Sequence, residues 1–351
     1  MLYFNIYFSQ NIFSLDPKQL AQARSLIDSA QNILITTHRS PDGDAIGSSL
    51  ALMLFLKRLG KSSTVIVPND YPQFLNWMAG QDEILVFEEK EAACAEIIRV
   101  SDLIFSLDYN VLHRTGDMAA ELAKSSAPFI LIDHHQQPGD YPEVTFSDTA
   151  SCSTCQMIFE FIDGLGHKDL IDSEIAECIY CGIMTDSGSF RFPSVTPETH
   201  RIVASLIEEG LDHAKVHRNV YDTNLLDRLK LLGYALSNKL QVMDGHHAAI
   251  ITLSKNELEK HNYRPGDTEG LVNYALSMQG INLAVFVREG NNQVKMSFRS
   301  KGSFDVNQFA RTHFHGGGHK NAAGASSSRS LEDTVAKLKT DIQQYTDQLN
   351  Y

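Results

Sequence analysis

Short apolar runs alternate with segments of helical length between residues 31 and 190, and this alternation limits the possible folds more than any other feature of the chain. Unbroken apolar runs are typical of strands buried on both faces, and helices between such strands predict a parallel sheet covered on both sides. The sequence therefore predicts an α/β fold here, with strands at residues 32–37, 64–67, 102–108 and 128–133.

A second pattern of strands and helices begins near residue 244, after helical segments at 196–210 and 225–244. A chain of 351 residues has room for two domains. We expect a parallel-sheet domain over 1–215, a helical linker over 216–243 and a smaller α/β domain over 244–351. In the smaller domain the expected strands are 248–253, 282–288 and 294–299, the expected helices 269–278 and 331–348, and the glycine-rich segment 315–324 a loop.

The charge balance excludes some classes of partner. The chain has 30 basic and 43 acidic residues, a net charge of -13. Proteins that coat long nucleic acid or lie on anionic membranes favour a basic face, so we expect neither partner. No run approaches the ~20 apolar residues that span a bilayer. The aromatic segment 1–16 lacks the basic residues of a signal peptide and is expected to pack on the fold or on a partner.

Five cysteines, an odd number, indicate reduced thiols and a cytoplasmic protein. Cys152 and Cys155 form one C-x-x-C pair, and Cys178 and Cys181 form another, which leaves a structural zinc site as one hypothesis. Both pairs lie in apolar runs of helical character, where cysteine serves as a small buried hydrophobe. We favour the buried role.

The first dense polar cluster contains His38, Asp42 and Asp44, between the end of a predicted strand and the start of a predicted helix. The two aspartates flank a glycine, so a turn can direct both carboxylates at one point. Carboxylates that close repel each other unless a proton or cation lies between them. Imidazole and carboxylate ligands without thiolate favour manganese, iron or magnesium over a structural zinc.

Three more acidic or histidine motifs follow at the ends of buried segments. Asp108 closes one strand, residues 133–135 (Asp-His-His) close the next, and Asp186 follows a buried helix and precedes a glycine turn. One such aspartate is often only a helix cap. Four motifs at corresponding ends instead indicate a site at the carboxyl edge of the sheet.

The order of these motifs, THRSPDGDAIGS, SLD, IDHH and MTDSGSF, resembles the DHH phosphoesterase superfamily, named for the triplet formed here by Asp133, His134 and His135. The later GGGHKNAAG is similar to the loop of the DHH-associated C-terminal domain. The motifs extend over roughly residues 30–325. Length and the two-domain plan are most similar to the NrnA-type oligoribonucleases (nanoRNases), which also dephosphorylate 3′-phosphoadenosine 5′-phosphate (pAp).

This resemblance implies two divalent ions per chain, usually Mn²⁺, with Mg²⁺ or Co²⁺ as substitutes. Asp108 would bridge the ions, which activate a shared water for in-line attack on phosphorus. The implied ligands are His38, Asp42 and Asp108 for the first ion, and Asp44, Asp108, His134 and Asp186 for the second.

Asp108, Asp133 and His135 are the residues that the resemblance assigns to catalysis. Asp133 would orient a ligand histidine, and His135 would face the substrate phosphate and help to protonate the leaving oxygen. Arg114 follows a ligand motif and has two open interpretations, a phosphate contact or a surface ion pair.

The C-terminal domain is expected to bind substrate. Gly316, Gly317 and Gly318 free the backbone for close approach to a phosphate, and a helix starting after them would add amide donors. His319 and Lys320 add side-chain donors. Arg299, at the end of a predicted strand, can form a two-pronged bond to a terminal phosphate. The resemblance implies that these residues hold the 5′ end of the substrate.

The expected function is therefore hydrolysis of phosphoester bonds: short oligoribonucleotides (nanoRNA, pApA) to mononucleotides, and pAp to AMP. The alternatives are a RecJ-like single-strand exonuclease and a cyclic or linear dinucleotide phosphodiesterase. A family II inorganic pyrophosphatase would carry a different C-terminal motif. The non-enzymatic alternative is a nucleotide-binding sensor, which would be expected to lose ligands that this chain keeps. A homodimer stays open.

Overall fold

The computed structural model describes residues 15–291 and 293–350. Residues 1–14, most of the aromatic segment, lie outside that range, so the predicted packing of this segment stays a prediction. The chain divides into two compact units between Thr223 and Asn224. This division falls within residues 216–243, the segment predicted as a linker.

The first unit is built on a six-stranded sheet in the order β3-β2-β1-β4-β5-β6. All its strand pairs are parallel, as the sequence predicts. The strands are β1 (Ile33–Thr36), β2 (Ser63–Val67), β3 (Leu85–Val86), β4 (Leu103–Leu107), β5 (Phe129–Asp133) and β6 (Val144–Ser147).

Helices cover both faces of this sheet. Alternate residues of the strands enter two cores: Ile35 and Phe105 pack with α2, α5 and α6, whereas Leu34 and Ile104 pack with α3 and α4. The helices are α1 (Pro17–Ser29), α2 (Gly43–Arg58), α3 (Glu91–Val100), α4 (Ala119–Leu122), α5 (Thr154–Gly164), α6 (Ser173–Asp186), α7 (Pro197–Glu208) and α8 (His213–Tyr221).

Side-chain caps fix where α2, α5 and α6 begin. Asp42 accepts hydrogen bonds from the amides of Asp44 and Ala45 at the start of α2. Ser153 and Asp172 cap α5 and α6 in the same way. Such caps satisfy amides that have no partner within the helix. They also place the first turns of α2 and α5 at fixed positions.

The second unit contains a mixed six-stranded sheet in the order β11-β12-β10-β9-β8-β7. β8 and β9 are parallel, and the other neighbours are antiparallel. The strands are β7 (Leu240–Met243), β8 (Ala248–Leu253), β9 (Leu283–Glu289), β10 (Val294–Ser300), β11 (His315–His319) and β12 (Ala322–Ser327).

Two cores lie on opposite faces of this sheet, one against α12 and α13 and the other against α9 and α11. The predicted pattern of two α/β units is therefore confirmed. The helices are α9 (Leu226–Tyr234), α10 (Lys255–Lys260), α11 (Leu271–Leu276), α12 (Val306–His313), α13 (Leu331–Gln343) and α14 (Thr346–Leu349), and a π-helical turn spans Ala235–Lys239.

Two predicted elements of this unit are wrong. The helix predicted over 225–244 ends at Lys239, and β7 follows because residues 240–243 pair with β8 across a turn in which Gly245 and His247 have positive φ. The segment predicted as a glycine loop is a hairpin of β11 and β12, and no helix starts after the glycines. Backbone pairing with β12 and close packing on α12 overcome the low strand propensity of glycine.

Cys152, Cys155, Cys178 and Cys181 are buried free thiols in the core of the first unit. In the part of the chain that the structure describes, no group of candidate metal ligands includes a cysteine. The buried role is thus the one that the structure supports. Among the described residues, no helix has both the length and the apolar character needed to cross a membrane.

Candidate metal and active site

The sheet order brings the predicted ligands of the first unit to one edge. β1 and β4 are neighbours although their helices lead in opposite directions along the sheet, and β5 lies beside β4. In open α/β sheets, bound molecules and ions lie beyond the carboxyl ends of the strands at such a reversal. His38 follows β1, Asp108 follows β4, and Asp133 ends β5.

His38, Asp42 and Asp108 form the first ligand group, whose candidate ligand atoms all lie within 4.8 Å of one another. His38 Nε2 is 3.3 Å from Asp108 Oδ2 and 4.0 Å from Asp42 Oδ1. His38 Nδ1 donates a hydrogen bond to the Arg39 carbonyl at 3.0 Å. Because a carbonyl only accepts, the free lone pair of this imidazole faces the carboxylates, as a metal ligand requires.

Asp44, Asp108 and His134 form the second ligand group, again within 4.8 Å. His134 Nε2 lies 3.4 Å from Asp108 Oδ1 and 3.7 Å from Asp44 Oδ2. Asp186, the last residue of α6, joins them with its Oδ2 3.5 Å from the same nitrogen. The structure therefore brings together all six side chains that the sequence predicted as metal ligands, and Asp108 belongs to both groups.

The backbone at Asp108 is strained. Its φ is +62°, in the left-handed region that side chains other than glycine seldom adopt. The residue follows β4, and its amide donates to the Ile132 carbonyl of β5. Backbone strain of this kind costs roughly 1–3 kcal/mol and is found where a functional side chain must point in one direction.

The electrostatics of the groups indicate an environment built for cations. Burial, followed by repulsion from Asp108 and Asp186, raises the pKa of Asp44 well above its usual range. Burial also opposes ionisation of Asp108, but hydrogen bonds with His134 and His38 hold its pKa well below its usual range. Several acids this close are stable together when positive charge lies between them. Oxygen-rich sites with imidazole suit Mn²⁺ or Mg²⁺, so these residues fit divalent cations.

The two histidines show the same need for charge compensation. Burial lowers the pKa of His38, but the adjacent Asp108 outweighs it and raises the pKa to about 9. Burial likewise opposes protonation of His134, whose pKa is nevertheless raised well above its usual range by Asp108, Asp186 and Asp44. Without a cation, protons would therefore take the positions that the two groups offer to metal ions.

Asp133 and His135 form a buried pair beside Asp108, whose Oδ1 lies 3.6 Å from His135 Nδ1. His135 Nδ1 donates to Asp133 Oδ1 at 2.7 Å, so Asp133 orients His135, whereas the resemblance implied that it orients a ligand histidine. The difference arises because His134 turns its Nδ1 to the Ser151 carbonyl. Asp133 Oδ2 is buried without a hydrogen-bond partner. Burial and then Asp108 raise the pKa of Asp133 to about 6.

Arg114 is half-buried beside this pair. Its carbonyl accepts a hydrogen bond from the Arg39 amide at 2.7 Å, which ties its segment to the loop after β1. Burial, and next the positive charge of Arg114, lower the pKa of His135 well below its usual range. His135 is therefore a neutral imidazole near pH 7, with a cationic side chain close to it.

Sequence reasoning missed Thr154, the first residue of α5. Its amide donates to Asp44 Oδ2 at 2.6 Å, and the next amide, that of Cys155, donates to Asp44 Oδ1 at 2.8 Å. A signal was present in Ser153, a typical cap residue immediately before an apolar helix. Asp44, which accepts from the Thr154 amide, however lies 110 residues earlier in the chain. Local sequence does not indicate a partner at that separation.

In the second unit, Arg299 and His319 lie in one row of the sheet. Arg299 of β10 and His319 of β11 both pair with Ala322 of β12, and residues directly opposite in antiparallel strands point to the same face. Two strand spacings separate them, about 10 Å. Lys320 is exposed in the two-residue turn that follows.

Two glycines of β11 are required by close packing. A Cβ on Gly316 would lie 2.5 Å from the Gly324 carbonyl oxygen and 2.9 Å from the Ala310 Cβ of α12. Gly318 has a φ of +147°. Its amide donates to Asn307 Oδ1 at 3.1 Å, which ties β11 to α12. The glycines thus let a strand approach a helix closely. The sequence analysis had instead predicted a loop whose backbone a phosphate could approach.

Two family models match this chain. The model described as the DHH family, N-terminal domain, matches residues 32–183, and the DHHA1 domain model matches residues 246–347. The chain therefore belongs to the DHH family, and the predicted class, a phosphoester hydrolase of this family, is confirmed.

Individual relatives agree with this assignment. The chain is 32% identical over 303 residues to the bifunctional oligoribonuclease and PAP phosphatase NrnA of Thermus thermophilus, covering 84% of this chain and 83% of the relative. It is 29% identical to the protein of the same name from Bacillus subtilis, covering 88% and 92%. A crystal structure of an exopolyphosphatase-related protein from Bacteroides fragilis matches with a TM-score of 0.91 and 37% identity, over 97% of this chain and all of that one.

Proposed function

We propose that this chain is a two-cation phosphoesterase that hydrolyses short oligoribonucleotides such as nanoRNA and pApA to mononucleotides, and pAp to AMP. The observation that carries the proposal is the pair of ligand groups that share Asp108 at the carboxyl edge of the first sheet. The names of the relatives from Thermus thermophilus and Bacillus subtilis support the choice of substrates.

We assign one cation to the first ligand group and one to the second, with Asp186 completing the second, and we propose Mn²⁺ as the physiological ion, with Mg²⁺ and Co²⁺ as substitutes. When bound, the ions supply Lewis-acid activation of water and charge neutralisation of the phosphoryl oxygens. Asp108 would be shared, because its Oδ2 faces His38 and its Oδ1 faces His134.

Asp133 and His135 would handle the proton on the leaving side. Asp133 fixes the His135 ring through the 2.7 Å hydrogen bond to Nδ1. In that tautomer Nε2 carries the lone pair of the neutral ring, so it would first take up the proton that the attacking water gives up and then pass it to the leaving oxygen. Arg114 would contact a non-bridging phosphate oxygen from its position near the pair.

The second unit would hold the 5′ end of the substrate. Arg299 and His319 point to one face of the sheet, and a guanidinium beside an imidazole offers donors of the type that binds a terminal phosphate. Lys320 adds a positive charge from the exposed turn. Of the three glycines Gly316–Gly318, Gly317 leaves the most room for close approach, because a Cβ there would meet no atom nearer than 3.6 Å. A substrate held at one end suits an acidic protein that lacks the many Lys and Arg contacts of a long nucleic-acid groove.

We place this activity in the cytoplasm, where the five free, buried thiols would stay reduced. Whether two copies of the chain associate does not alter the proposed chemistry, since both ligand groups come from one chain; a homodimer stays a prediction.

A substrate panel tests the proposal: pAp, pApA, RNA of two to ten nucleotides, pyrophosphate and long single-stranded DNA, each with Mn²⁺ and with excess EDTA. We expect rapid hydrolysis of pAp and RNA of a few nucleotides, and none with EDTA. A preference for long DNA would establish the RecJ-like alternative. A preference for pyrophosphate would contradict the proposal that pAp and short RNA are the substrates. Nucleotide binding without turnover of any substrate would favour the sensor.

A further inference from the structure

One segment of the chain, residues 151–155, holds three members of the second ligand group. The amides of Thr154 and Cys155 donate to the two carboxylate oxygens of Asp44, at 2.6 and 2.8 Å. The Thr154 hydroxyl donates to Asp108 Oδ1 at 3.0 Å. His134 Nδ1 donates to the Ser151 carbonyl at 3.3 Å.

The first ligand group is supported differently, by its own loop. His38 donates to the carbonyl of the next residue, and Asp42 accepts from the first amides of its own helix. The Asp42 side chain is 58% exposed, whereas that of Asp44 is 1% exposed. Water therefore competes for a ligand of the first group and is kept from the matching ligand of the second.

The supporting segment is itself fixed. Ser153 Oγ accepts from the Gln156 amide at 3.0 Å and so caps α5, and Ser151 Oγ donates to the Ser153 carbonyl at 3.0 Å. Gln156 is buried, and its Oε1 accepts from Thr199 Oγ1 of α7 at 2.8 Å. A buried network of this kind holds a segment in one conformation.

The Thr154 hydroxyl acts on one of the two oxygens of the shared carboxylate. It bonds Asp108 Oδ1, the oxygen that faces His134, whereas Oδ2 faces His38 across 3.3 Å. The Thr154 side chain thus contacts the shared ligand Asp108 on the side of the second group. Removing this hydroxyl should disturb the second group more than the first.

We propose that Thr154 is a positioning residue, and that segment 151–155 makes the second ligand group bind its divalent cation first and more tightly than the first group does. Ligands already held in place lose little freedom on binding, and partners outside the ligand set are worth about 10–100-fold in metal affinity. The inference rests on the proposed function only in that both groups are taken to hold divalent cations. It follows that activity should depend on filling the weaker first group.

Titration of the metal-free, full-length protein with Mn²⁺, followed by the electron paramagnetic resonance of free Mn²⁺, measures the two binding steps directly. We expect one tight and one weaker step. Thr154→Val keeps the side-chain shape and removes the hydroxyl, so it should weaken the tight step about tenfold. Thr154→Ser should restore it. Thr334→Val is the matched control, because this buried threonine bonds Ser327 and no proposed ligand, and should leave both steps unchanged.

Two ligand variants assign the steps to the groups. Asp42→Ala should remove the weaker step and leave the tight one, and Asp44→Ala should remove the tight step. Loss of the tight step in Asp42→Ala, equal affinities in the unmodified protein, or unchanged binding by Thr154→Val would each overturn the proposal. A thermal melt of every variant identifies a general loss of folding; should Thr154→Val unfold, Thr154→Ala, which also removes the hydroxyl, carries the comparison with Thr154→Ser.

These outcomes are separable from the proposed function. A protein that binds two Mn²⁺ in the expected order but hydrolyses neither pAp nor short RNA would refute the function and leave the inference intact. A protein that hydrolyses both substrates, with both Mn²⁺ bound equally tightly, would support the function and refute the inference.

Discussion

The two units bring polar groups to a sheet in opposite ways. In the first unit the groups are buried at strand ends, where Asp44, Asp108 and His134 lie within 4.8 Å of one another. In the second unit Arg299 and His319 lie half-buried along one row of strands, beside a glycine strand with little side-chain bulk. Buried acids call for cations, whereas spaced basic donors suit an anion. The difference indicates a division between chemistry and substrate binding.

The strongest test of this division is Asp108→Asn. The change removes the shared carboxylate of both ligand groups, so we expect kcat/KM for pAp to fall at least about 1000-fold, a loss of roughly 4 kcal/mol of transition-state stabilisation. Asp117→Asn is the control, because the Asp117 side chain is 86% exposed. Steady-state kinetics in Mn²⁺ measures both, and a comparable loss in the control would show that a change of charge alone explains the effect.

Arg299→Gln tests the binding role of the second unit. Hydrogen bonds to charged groups contribute about 1.5–3 kcal/mol, so KM for pAp should rise about 10–100-fold while kcat changes little. The exposed Arg329 offers a control, Arg329→Gln, that removes the same charge from the same unit. A fall in kcat with KM unchanged would mean that Arg299 belongs to the chemical step instead.

Gly316→Ala tests whether the glycine strand is required by packing. The added Cβ would meet the Gly324 carbonyl and α12, so we expect the free energy of unfolding to fall by about 1–3 kcal/mol. Gly233→Ala in α9 has open space at its Cβ and should stabilise the unit by about 0.5–1 kcal/mol. Chemical denaturation measures both; equal effects would show that β11 does not pack as described.

The smallest expected effect is a pH dependence in the second unit. Burial opposes ionisation of Glu257, but hydrogen bonds from Lys239, Ser254 and Tyr234 lower its pKa to about 2. A lowered carboxyl pKa stabilises the folded state above the unfolded pKa of about 4.5, and this stabilisation is lost as the pH falls towards 2. Urea unfolding should show the largest gap between the unmodified protein and Glu257→Gln at pH 6, shrinking by pH 3. A constant gap would contradict the assignment.

The first unit was predictable because periodicity and position coincide there. The run at 128–132 is apolar and is followed directly by Asp133, and the observed β5 is Phe129–Asp133. Parallel strands end at one edge, so the motifs after β1, β4 and β5 had to meet. The family resemblance then supplied the pairing of ligands with ions.

What sequence did not reveal depends on long-range contacts. Thr154 supports Asp44 and Asp108 from 110 and 46 residues away, and α5 gives no local sign of this. The glycines at 316–318 have no intrinsic strand propensity, and only pairing with β12 and packing on α12 make them a strand. The prediction that Asp133 orients a ligand histidine was wrong for a similar reason. His134 Nδ1 donates instead to the Ser151 carbonyl, a contact between residues distant in the chain.

Anomalous diffraction at the manganese edge, from crystals of the full chain grown with Mn²⁺, tests the two-cation site most directly. We predict two peaks per chain, one at His38, Asp42 and Asp108 and one at Asp44, Asp108, His134 and Asp186, with Asp108 bound to both. A single peak, or peaks away from Asp108, would contradict the account.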